Sequence, residues 1–156
     1  GFSDTERKTL VRYITNGGIL FIEDSTAYKQ SEFDKKIKVE MDKMFLDKRF
    51  TKLPKDHPLF RSFYLLRGIA GRKLTNNYLE GLDIDNRGAV IYSQNDVFGA
   101  WLRDKFGNYF LECNPGGENQ RFEAQKLTLN IIIYSLTGTY KSDFIHKPFI
   151  EDKLRR

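Results

Sequence analysis

The chain has 156 residues, 40% hydrophobic and 30% charged, enough for one soluble domain with its own core. Its net charge of +5 is spread along the sequence and not gathered in a Lys/Arg stripe, which argues against nucleic acid as a partner. The single cysteine, Cys113, excludes an intrachain disulfide and a cysteine-rich metal site, and no apolar run is long enough to cross a membrane as a helix.

Ser3-Asp4-Thr5-Glu6 fits a capping box, with the Ser3 hydroxyl and the Glu6 carboxylate satisfying each other's backbone N–H groups. Leu10, Val11 and Ile14 follow at helical spacing, and Asn16-Gly17-Gly18 supplies a left-handed stop. Ile19-Leu20-Phe21-Ile22 is a continuous apolar run, the pattern of a strand covered on both faces, and it exits into Glu23-Asp24. A second helix is expected from Ser31, with Phe33, Ile37, Met41, Met44 and Phe45 on its apolar face. Leu53-Pro54 to His57-Pro58 reads as a proline-punctuated connection. The apolar cluster Leu59, Phe60, Phe63, Tyr64 and Leu65 then reads as one helical turn and a short strand. Residues 67–78, rich in Gly, Arg, Lys and Asn, are expected to form an exposed loop. Strands are predicted over 79–84 and 89–92, joined through Asp85-Asn86-Arg87-Gly88 as a hairpin or a closely connected pair. A last helix over 119–136 is apolar toward its end and should be deeply docked. After Tyr140 the tail carries Phe144, Pro148, Phe149 and Ile150, then a basic end.

Chemistry-bearing side chains gather at the exits of the two apolar strands. Glu23 and Asp24 are adjacent carboxylates suited to a cation or to acid–base work, although neighbours on a strand point to opposite faces. Asn95-Asp96 repeats the pattern after the 89–92 strand, and if both strands are central and parallel the two pairs converge on one edge. The bland alternatives are that one of Glu23 and Asp24 caps the next segment while the other is solvated, and that Asn95-Asp96 forms an Asx turn. Pro115-Gly116-Gly117-Glu118 opens a helix whose free N–H groups, with Arg121 one turn inside, suit an anion; Glu118 competes for the same dipole. Trp101, beside Phe98, Arg103, Phe106, Tyr109 and Phe110, fits either a pocket mouth or ordinary packing. His57 and His146 have no partner at metal-ligand spacing, Ser25 and Ser93 lack an elbow motif, and Cys113 reads as a structural thiol. No motif names a cofactor.

With these residues assembled, the chain resembles the bacterial family known as domain of unknown function 4159. The matching pieces are Phe2-Ser3-Asp4, Arg12-Tyr13, the run from Asn16 to Asp24, and Asp56-His57-Pro58-Leu59-Phe60. Further along they are Tyr92-Ser93, Asn95-Asp96, Pro115-Gly116-Gly117-Glu118, Gln120-Arg121, Asn130-Ile131 and Tyr134 to Gly138. The resemblance implies a fold like the class I glutamine amidotransferases, a three-layer flavodoxin-like α/β sandwich with a mainly parallel sheet. It also implies an upstream portion ending in a Gly-His-Gly turn where related amidotransferases hold a nucleophilic cysteine. The chain begins after that turn without an initiator Met, so it reads as N-terminally incomplete, and Cys113 does not inherit the role. Secretion signals among members of the family point to the periplasm or cell envelope.

The expectation is therefore an amidotransferase-like domain over 1–140, followed by a packed aromatic and then basic tail over 141–156. The reading favours a non-catalytic binding module using Glu23, Asp24, Asn95, Asp96, Trp101, Gly116, Gly117 and Arg121, with neither catalytic nor metal-ligating residues in the chain. Its partner would be a small ligand or a protein, including a second copy, since unpaired strand edges invite association. The alternative is a hydrolase or amidotransferase-like enzyme completed by a nucleophile upstream.

Overall fold

A computed structural model of the chain describes residues 1–137; the expected tail lies outside the described residues. Helix α1, Asp4–Thr15, begins at the anticipated capping box: Glu6 N–H donates to Ser3 Oγ at 3.3 Å and Ser3 N–H donates to the Glu6 carboxylate at 2.7 Å. Strand β1 is Leu20–Glu23, α2 is Glu32–Met44 and β2 is the two-residue Thr51–Lys52. After a 3₁₀ turn at Pro58–Arg61 come β3, Glu80–Ile84, and β4, Arg87–Ser93. A second 3₁₀ turn, Phe98–Trp101, precedes α3, Gly117–Thr137. No strand forms over 62–66, and β2 had no counterpart among the sequence expectations.

The sheet order is β1-β4-β3-β2, and this overturns the expected mainly parallel, flavodoxin-like sandwich. Only β1 and β4 are parallel; β4–β3 and β3–β2 are antiparallel, giving a mixed α/β fold with a mostly antiparallel sheet. The physical reason is local. Asp85 and Asn86 adopt φ of 52° and 59°, forming a two-residue turn that pairs Ile84 with Arg87. A connection that short can only return the chain antiparallel, whereas a parallel crossover needs a dozen or more residues.

Helices lie against both faces of this sheet. Ile14 of α1 and Ile37 and Met41 of α2 pack with Ile22, Leu82, Val90 and Tyr92 on one face. On the other, Leu127, Ile131 and Tyr134 of α3 pack with Ile91, Leu59, Phe60, Leu79 and Val97. The alternation Val90, Ile91, Tyr92 is what a strand buried on both faces requires. Phe33 departs from the expected apolar face of α2 and is exposed, while Asp34 takes the inward position beside Ile37 and Met41.

Segment 67–78 is a docked arm and not an exposed loop. Arg72 N–H donates to the Asp96 carbonyl at 2.9 Å, Lys73 N–H to the Asn95 carbonyl at 3.1 Å, and Asn114 N–H to the Arg72 carbonyl at 2.8 Å. Gly71 makes this approach possible, because a Cβ there would collide with the Asn95 backbone.

Candidate functional site

Parallel pairing of β1 with β4 sets Glu23 opposite Ser93, so the acidic exit and the Gln94-Asn95-Asp96 segment finish on one rim. There the side chains bind one another. The Glu23 carboxylate accepts from the Val97 and Phe98 N–H groups, the latter at 3.0 Å, and so holds the start of the 3₁₀ turn. Burial raises its pKa to about 7, with the nearby Asp96 and Asp24 charges adding; the two N–H donors pull downward and burial outweighs them.

Asp24 is buried and points back into its own loop. It accepts from Thr26 N–H at 2.9 Å, Thr26 Oγ1 at 2.6 Å and Ser31 Oγ, and Ser31 in turn caps α2. Asn95 is fully buried and acts as a strand would. Its Oδ1 accepts from Asn76 N–H at 2.8 Å and its Nδ2 donates to the Asn76 carbonyl at 2.7 Å. Asp96, at φ 52°, pairs with Arg72 and accepts from Gly99 N–H at 3.2 Å. Asp24 therefore braces its own loop and the Ser31 cap, Asn95 holds the arm at Asn76, and of that pair Asp96 alone makes a local turn bond, to Gly99.

The remaining anticipated residues sit further along the same end. Arg121 is buried and fully engaged: Nε on Glu118, Nη1 donating to the Ala100 carbonyl at 2.8 Å, Nη2 to the Leu111 carbonyl at 2.7 Å, over the Tyr109 ring. Trp101 donates from Nε1 to Thr128 Oγ1 at 2.9 Å, fastening the 3₁₀ turn to α3. Gly117, at φ 57°, starts α3; Gly116 N–H donates to Gln120 Oε1 at 2.9 Å, and Gly116 also edges a shallow depression with Gly68, Ile69 and Leu74. Among the described residues, every buried side-chain polar atom has a hydrogen-bond partner.

A cleft of about 600 Å³ opens beside the rim, between the start of α2, the docked arm and the ends of β3 and β4. Its wall is a buried polar network. Asp34 accepts from Tyr92 Oη at 3.1 Å and Gln94 Nε2 at 2.6 Å, and Asn76 Nδ2 donates to Gln94 Oε1 at 2.5 Å. Burial drives the Tyr92 phenol well above its ordinary pKa, so it stays a donor. Lys38 reaches Asp34 at 2.9 Å and Glu80 at 3.7 Å. Lys29, Gln30 and Asn77 stand exposed at the mouth, with Ile69, Leu74 and Tyr78 beside them.

The model for the family described as Domain of unknown function (DUF4159) matches residues 1–136. The chain belongs to the DUF4159 family. No curated protein matches it. In this DUF4159 chain, sequence reasoning missed Asp34, Lys38, Asn76 and Gln94 as cleft residues. Asp34 had a visible signal: it falls on the apolar stripe with Ile37 and Met41, and a carboxylate there must find buried partners. Asn76 and Gln94 had none, because their meeting depends on how the arm docks.

Proposed function

We propose that this DUF4159 domain is a non-catalytic binding module of the bacterial cell envelope, holding a small polar ligand in the cleft beside the Glu23–Asp96 rim. The observation carrying this reading is the Asp34–Tyr92–Gln94–Asn76 network, which fixes polar side chains along the cleft wall before any ligand arrives. Such preorganisation lowers the ordering cost of binding. Glu23, Asp24, Asn95 and Asp96 act behind the wall by holding its loops in place. Three groups that acyl-transfer chemistry could draw on are engaged otherwise. Cys113 is buried with its thiol pushed up by burial, Ser93 Oγ accepts from Asn95 N–H, and His57 Nδ1 caps the 3₁₀ turn.

Thermal melting of the protein against nucleotides, metal salts, amino acids and sugars tests the reading, since a ligand selective for the folded state raises Tm. Asn77→Ala and Lys29→Ala should leave the unliganded Tm unchanged and each shrink the shift. A shift of undiminished size in both variants would place the ligand elsewhere. Fractionation of bacterial cells tests the location: a purely cytosolic pool overturns the envelope assignment.

One observation favours catalysis. A carboxyl near pH 7 is what a general base needs, and Glu23 has that value at the rim. In this second reading the nucleophile comes from an upstream segment. Glu23→Gln would then abolish activated-ester hydrolysis by a longer chain carrying that segment, with ligand-dependent melting intact.

A further inference from the structure

We infer that the cleft ligand is a neutral sugar, one whose hydroxyl or acetamido groups pair with the side-chain amides of the lining. This rests on the cleft being the binding site.

The lining holds two lysines, Lys29 and Lys38, against two carboxylates, Asp34 and Glu80, so it carries no net charge. Lys38 is held between both carboxylates, and Asp34 also accepts from Tyr92 and Gln94. That leaves Lys29 alone for an anion, whereas phosphate and carboxylate sites rely on several convergent N–H donors or cations. For a cation, Asp34 already has three donors, Lys38, Tyr92 and Gln94, converging on its Oδ1, and the positive Lys38 stands beside both carboxylates.

The remaining polar lining is amide and hydroxyl: Gln30, Asn76, Asn77, Gln94, Thr75 and Tyr78. Gln94 and one Asn76 N–H are committed to the wall network, so the exposed Gln30 and Asn77 amides and the outward side of Asn76 are what a ligand meets. An amide offers a donor and an acceptor about two ångströms apart on a planar group, the pattern that adjacent sugar hydroxyls, each donor and acceptor, can match in pairs. Ile69 and Leu74 interrupt this polar surface with apolar side chains. A sugar presents the same mixture, C–H faces and acetamido methyls between hydrogen-bonding groups. One face of the Tyr78 ring is covered by Lys52 Nζ, 4.0 Å from its centroid. The volume, about 600 Å³, lies within the range of ligand pockets and suits a disaccharide.

The test is an NMR titration of the isotope-labelled 156-residue chain with N,N′-diacetylchitobiose and maltose, in parallel with inorganic phosphate and glycylglycine. Either sugar should move the side-chain amide resonances of Asn76, Asn77 and Gln94 together and saturably, with Kd on the order of 1 mM. Asn77→Ala should weaken that Kd about fivefold while the rest of the spectrum is unchanged. Saturation of the same resonances by phosphate or glycylglycine and by neither sugar overturns the sugar assignment and leaves the cleft as the site. Shifts confined to other surfaces, or no shift with any of the four, overturn the sugar and the cleft together.

Discussion

Removing the Glu23 carboxylate and removing only its charge are different experiments at this rim. Its two oxygens hold Val97 and Phe98, so Glu23→Ala strips the 3₁₀ turn of its anchor, whereas Glu23→Gln keeps an acceptor and abolishes the titration. Below the ordinary value of 4.5 both folded and unfolded chains bind the proton. Between 4.5 and about 7 the folded chain keeps a proton that the unfolded chain has lost, so stability falls as pH rises through that window and is flat above it. Allowing for partial exposure, the contribution is about 2 kcal/mol. Burial depresses His57, whose contribution has the opposite sign: it is present at neutral pH and lost as pH falls below its ordinary 6.5. The difference between wild type and Glu23→Gln therefore isolates Glu23. Urea unfolding from pH 4 to 8 should show that difference changing between pH 4.5 and 7; parallel profiles would mean that burial does not control this carboxyl.

At the scale of elements, the arm over 67–78 owes its place to Gly71 and Asn95 together. Asn95 replaces a neighbouring strand with its side-chain amide, satisfying the N–H and carbonyl of Asn76, while Gly71 lets two backbones meet. Gly71→Ala forces a backbone shift at that contact and should lower unfolding free energy by about 2 kcal/mol. The same substitution at Gly68, where an added Cβ meets nothing within 4 Å, should cost well under half as much. Equal losses in urea melts of the two variants would show that the arm is not held at Gly71. Elements carried by local chemistry followed their sequence signals closely. The Ser3 capping box, the left-handed turn after α1 and the Asp85-Asn86 turn all use side chains and backbone within a few residues of each other.

The whole molecule is organised around β4, flanked by β1 on one side and β3 on the other and covered on both faces. Ala89, Val90 and Ile91 are fully buried, while both residues of β2 are exposed at the sheet's edge. Hydrogen exchange should therefore be slowest in β4 and fastest, among the strands, in β2; a β1 that outlasts β4 would contradict this arrangement. The helices, the buried strands and the rim carrying Glu23 and Asn95 were legible in the sequence, because periodicity, caps and strand exits are local patterns. Sheet direction was only half legible. The turn signal from Asp85 to Gly88 pointed to a hairpin or a closely connected pair, but nothing local to β1 records that its neighbour is β4 and not β3. The cleft belongs wholly to tertiary structure: Asp34, Asn76 and Gln94 lie on three separate segments, and only the docking of arm and α2 against the end of β4 brings their polar groups within hydrogen-bonding distance. The sequence determined which segments are helix and strand and which polar groups end them; chain packing decided that those groups spend their hydrogen bonds on one another and left the open polar surface one step to the side.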